Sequence, residues 1–135
     1  MAFDQTLTTQ AKYIALQHLA TGTLKMALYT ANADLNAATL VYTTTNEVSG
    51  TGYTAGGKTL TGVTVSQSGT TAYLDFADVT WDPAAFTARG ALIYNSSLDN
   101  LAVAVLDFGS DKTATTSFTV QVPANTADAA LVRFA

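Results

Sequence analysis

The residues able to do chemistry are few, and their spacing is poor for it. His18 is the only histidine, and there is no cysteine. A serine–histidine pair or a zinc site would have to be built around that one imidazole. It falls on the apolar side of a helical pattern, so a partly buried, hydrogen-bonded imidazole is the expected role. Asp75, Asp78 and Asp82 form the densest acidic group. Two carboxyls flanking a bond can serve as acid and base. Here Asp75 and Asp82 have opposite strand phase, which favours turn and edge positions, and the spacing is not that of an EF-hand loop. Asp107 interrupts an apolar run, and Arg89 is its natural charge partner, because a buried carboxylate without one is costly. Six tyrosines (Tyr13, Tyr29, Tyr42, Tyr53, Tyr73, Tyr94) and Trp81 could stack on sugars or pack in a core and interface. No catalytic residue, metal ligand or cofactor site is expected.

Residues 46–57 are the most distinctive stretch, with four glycines, one large aromatic and little charge. Glycine lets backbone approach another surface closely and accepts positive φ. The segment lacks a strand-to-helix setting and a Gly-Lys-Ser/Thr ending, so it does not read as a phosphate cradle. Two roles remain: an ordered loop between elements, or a contact loop in an assembly. Asn46, Glu47, Tyr53, Gly56 and Gly57 are the candidate interface residues, with Tyr53 as anchor.

The elements that must position these residues are mostly strands. Residues 5–20 read as a helix, capped by Asp4 or Thr6 and followed by Gly22; Leu7, Ala11, Ile14 and His18 share one face, widened by Leu16 and Leu19. A strand follows over 24–30, with Leu24, Met26 and Leu28 opposite Lys25 and Tyr29. Residues 32–40 suit a short helical turn. Further strands are expected over 60–66, 72–77, 79–81, 88–95, 101–108, 118–122 and 129–134, with Asp82-Pro83 as a break and 109–113 as a turn. The 101–108 run is apolar on both faces, which predicts a central strand. The fold class is therefore mainly β: an antiparallel sandwich, of jelly-roll or related type, with an N-terminal helix. Residues 1–22 form the helical arm and 23–135 the sandwich of one domain.

Composition narrows the partners. Charged residues are 12% against 48% hydrophobic, and the net charge is −4. That balance excludes disorder and suits a surface covered by neighbours. The six basic residues are scattered, so no row of phosphates is met and nucleic acid is not an expected partner. No apolar run approaches about 20 residues, so no helix is expected to span a membrane. The N-terminal residues lack a signal-peptide pattern, which predicts a cytosolic stage before assembly.

Several runs together resemble small structural proteins of tailed bacteriophages. They are Leu24-Lys25-Met26-Ala27-Leu28-Tyr29-Thr30, Thr45-Asn46-Glu47-Val48, Gly52-Tyr53-Thr54-Ala55-Gly56-Gly57, Asp78-Val79-Thr80-Trp81, Arg89-Gly90-Ala91-Leu92-Ile93-Tyr94-Asn95 and Ala104-Val105-Leu106-Asp107-Phe108-Gly109. The resemblance spans residues 24–134. It implies a virion component made in the bacterial host cytoplasm, with itself and the major capsid protein as partners. Capsid cement that stabilises contacts between capsid subunits is the favoured role. A tail or baseplate module binding a receptor or surface glycan is the alternative. No catalytic residue comes with the resemblance.

Overall fold

The computed structural model describes residues 3, 5–123, 126 and 128–135. Among the described residues one helix, α1 (Thr9–Leu19), precedes nine strands: β1 (Leu24–Tyr29), β2 (Lys58–Thr59), β3 (Thr64–Ser68), β4 (Thr71–Asp75), β5 (Val79–Trp81), β6 (Phe86–Asn95), β7 (Leu101–Ala114), β8 (Phe118–Val120) and β9 (Val132–Phe134). All pairings are antiparallel. The larger sheet runs β2-β1-β6-β7, and two smaller ones run β3-β4-β9 and β5-β8. The chain is thus mainly β and antiparallel, with one helix at its start. That helix is not long and apolar enough to cross a membrane.

The helix begins later than its periodicity suggests. Thr8 is the N-cap, its hydroxyl accepting from the Ala11 amide at 3.2 Å, so the pattern over 5–8 lies outside the helix and Thr6 caps nothing. Asp4, the other expected cap, lies outside the described residues. The buried face also differs from the expected one. Lys12 and Leu16 turn inward, whereas Leu7, Ala11, Ile14 and His18 are exposed. Polar anchors fix this orientation. Lys12 Nζ donates to Thr70 O at 2.8 Å, and the Gln67 side chain donates to that of Gln10 at 3.2 Å. The Lys12 stem is buried while its ammonium reaches the β3–β4 turn.

The larger sheet is buried on both faces at its centre. Leu24, Met26, Leu28, Ala91 and Ile93 face the main core, and Ala27, Tyr29, Leu92 and Tyr94 form a second cluster under Leu35 and Tyr42. The main core gathers side chains from all three sheets. Phe118 is in ring contact there with both Trp81 and Phe86, the centroids 6.2 and 5.2 Å apart.

β6, not β7, is central beside β1. β7 is the outermost strand, and Val105 is 40% exposed. Its apolar residues still pack inward, Val103, Ala104, Leu106 and Phe108 on the main core and Ala102 on the second cluster. Alternation cannot tell a strand covered on both faces from an edge strand of this composition. The expected turn over 109–113 is instead an irregularity within β7. Ala88 pairs with Lys112 and Gly90 with Asp107, so extra residues bulge out around Gly109, at φ 81°.

The expected 60–66 strand forms only from Thr64 on, as β3. β2 pairs with β1 before Leu60, and β3 starts at Thr64. No helical turn forms over 32–40. The Asn36 side chain accepts from the Ala38 amide at 2.8 Å, and Thr39 N donates to Asn36 O at 3.0 Å, a local turn that competes with helix. The Asp82-Pro83 peptide, at the expected break, is cis.

Candidate functional site

Residues 46–57 begin as an added strand on β1. Val48 N donates to Leu28 O and Thr30 N to Asn46 O, both at 2.9 Å, with a bridge between Tyr29 and Glu47. Asn46 sits at φ 61° and its side-chain amide donates to Asn32 O at 3.0 Å. β2 covers the edge of β1 only as far as Met26. The Leu28 amide beyond it is met by a side chain: it donates to the Tyr53 hydroxyl at 2.9 Å.

Glu47 is the hub beneath the loop. Its Oε1 accepts from the Tyr42 hydroxyl at 2.6 Å, and its Oε2 accepts from the Tyr53 hydroxyl and, at 2.8 Å, from the Gly56 amide. Tyr94 closes the circuit by donating to Gly56 O at 2.7 Å, and its ring stacks on Tyr42 with centroids 4.6 Å apart. Tyr29 donates to Thr43 O at 2.6 Å. Burial removes water from these four phenols and raises their pKa above the ordinary value of 10, and the neighbouring Glu47 adds to the rise at each. The cluster holds neutral phenols around one carboxyl.

Two glycines let the loop lie against its own scaffold. A Cβ on Gly57 (φ 77°) would stand 1.7 Å from Met26 O, and one on Gly52 (φ 86°) 1.8 Å from Pro83 O. The close approach expected of a glycine-rich loop is therefore made, and the surface approached is the chain's own backbone.

The candidate interface residues divide accordingly. Asn46 is exposed, Gly57 is half-buried and Gly56 is buried. Glu47 and Tyr53 point inward, and the Tyr53 ring meets Phe86 at 5.8 Å and Trp81 at 6.3 Å. The outer rim consists of Ser49, Gly50, Thr51, Gly52, Thr54 and Ala55, all exposed. Sequence reasoning singled out the aromatic as anchor of the loop, whereas the exposed positions are these small and hydroxyl residues. The direction of Tyr53 depends on the open amide of Leu28, which no periodicity reveals.

The other candidates stay apart. His18 is exposed in the last turn of α1, not half-buried. It lies there because the helix turns its other face inward. Asp78 Oδ1 accepts from the Val122 amide at 2.7 Å, Asp82 is exposed before Pro83, and Asp75 keeps one buried oxygen without a partner. Arg89 does pair with Asp107, at 3.8 Å, and reaches Asp111 at the same distance. Asp107 is exposed rather than buried, because β7 is an edge, so these pairs contribute little. Among the described residues no three histidine or acidic groups come close enough to hold a metal ion. Tyr29, Tyr42, Tyr53 and Tyr94 present their hydroxyls to the protein itself, which leaves Tyr13 and Tyr73, both half-buried, outside the cluster.

In comparisons with protein-family models, with curated proteins and with solved structures, nothing matches this chain.

Proposed function

We propose that this protein is a structural component of a bacteriophage particle, a capsid cement protein that self-associates and stabilises contacts between major capsid subunits. The observation that carries the reading is the loop at 46–57, whose rim is exposed while its underside is fastened by Glu47 and the tyrosines. A contact loop held in place before binding loses little freedom when it docks. The uncharged rim, the low charge of the chain and the motif runs quoted above support the same reading. In this reading the three sheets around one core are a sandwich of jelly-roll type, and the protein resides in the virion after synthesis in the host cytoplasm.

A glycan-binding module at the tail would need exposed aromatic platforms. The inward hydroxyl bonds of four of the six tyrosines give that reading less support.

Labelling the protein in purified virions tests the assignment. Label over the capsid surface is the expected result. Label confined to the tail tip would favour receptor binding, and absence of label would reject both. Thr54→Arg, on the rim, should reduce incorporation without altering the fold. Unchanged incorporation of a folded Thr54→Arg protein would remove the loop from the contact.

A further inference from the structure

We propose that the outer edge of β7 is a self-association surface, where two copies of this chain meet about a two-fold axis with Val105 and Leu40 of each at the centre. The proposal rests on the self-association in the reading above and gives it a second face, distinct from the loop at 46–57.

The edge is already used for pairing at one end. Val41 bridges Leu101, with Ala102 N donating to Leu40 O at 3.0 Å and Tyr42 N to Asn100 O at 2.9 Å. The chain then departs. Among the described residues no other strand covers β7 from Val103 onward. The bare stretch over 103–106 is Val-Ala-Val-Leu. Edge strands are normally guarded by charge, proline or a bulge. Here a register shift at Val103 marks the start of the stretch, and the charged guards begin only with Asp107, followed by the irregularity at Gly109, Asp111 and Lys112.

The surface beside the edge is apolar and uneven. Leu40 is 76%, Val41 50% and Val105 40% exposed. Val105 lines two open hollows, one of about 270 Å³ that also touches Leu35 and one of about 290 Å³ that also touches Ala37. It therefore forms a ridge between them. A two-fold axis lets the ridge of one copy enter a hollow of the other. Among the described residues the only charged ones lining the hollows are Arg89 and Asp107, which oppose each other at 3.8 Å. The patch can thus face its copy without like-charge repulsion. A closed pair also ends the edge, whereas a lone chain would leave an apolar strand open to aggregation.

Sedimentation of the full chain over a concentration series tests this. The expected result is a dimer that dissociates on dilution. Val105→Lys and, on the neighbouring loop, Leu40→Asp should each weaken association at least about tenfold with unchanged circular dichroism. Ile14→Lys, on the exposed apolar face of α1, should have no effect. A monomer at every concentration would overturn the proposal, whether or not it captures a partner's extended segment. So would open-ended polymers, or a dimer lost with Ile14→Lys but kept with Val105→Lys. Absence of the protein from virions would reject the particle assignment and leave this measurement unaffected.

Discussion

Glu47 receives three hydrogen bonds from a phenol, a second phenol and a backbone amide. Its loss strands all three donors at once. Glu47→Ala is expected to lower stability by about 2–4 kcal/mol, read from the urea midpoint, and Tyr53→Phe by about 1–2 kcal/mol, because Leu28 N then loses its acceptor. A Glu47→Ala protein with the wild-type midpoint would mean the cluster is not holding the loop. The same residues set the response to base. Tyr29, Tyr42, Tyr53 and Tyr94 release their protons above the ordinary pKa of 10 in the folded chain, while the unfolded chain releases them at that value. Above pH 10 the unfolded state therefore binds fewer protons than the native one, and stability falls as pH rises. Below pH 10 the contribution is fully present. Each phenol contributes a slope of at most about 1.4 kcal/mol per pH unit. Tyrosinate absorbance should appear together with unfolding rather than ahead of it; early ionisation of these phenols in a still-folded chain would contradict the burial argument.

At the scale of elements, the seam between the loop and β1 is the tightest contact made by any glycine. Gly57→Ala forces a Cβ against Met26 O at positive φ and should destabilise by more than about 2 kcal/mol, whereas Gly69→Ala, with open space around it, should lose only about 1 kcal/mol. Equal melting of the two variants would show that the loop can lift from the sheet at no cost. β7 gives a second contrast. Leu92→Asp in β6 should prevent folding, while Val105→Asp should give a folded monomer within about 1 kcal/mol of wild type. The strands at 79–81 and 118–120 were legible because alternation agrees there with burial, and 24–29 was legible as a strand although both of its faces are buried. The position of 101–108 was not, since an edge strand of apolar residues reads like a central one. The helix face was misread because Lys12, which looks solvent-bound, is held by Thr70 O. The candidate site was legible as a loop and as a set of residue types, but not in the direction of Glu47 and Tyr53, which is set by backbone groups far away in sequence.

For the whole molecule, Asn95 joins the two ends of the architecture. It is fully buried in β6, and its amide donates to Leu19 O at 2.8 Å and Thr21 O at 2.7 Å, while its oxygen accepts from Ser97 N. The helix that packs on the small sheet is thereby tied to the large one. Asn95→Ala should lower stability by about 2–4 kcal/mol, and calorimetry should still record one transition because the three sheets share a core. Two separate transitions would instead divide the chain into a helical part and a β part.

The small sheet pairs β4 with β9, a strand that follows it only after β5, β6, β7 and β8. All four strands of the large sheet are available once Ala114 has been synthesised. β4 must wait for Phe134, and until then its backbone on that side stays open. On a ribosome, therefore, the large sheet can assemble while the chain is still growing, and the surface on which α1 rests is completed last. A nascent chain of this kind passes through an interval in which its first-made helix has only part of its docking site, and a helper that binds exposed strands would act in that interval.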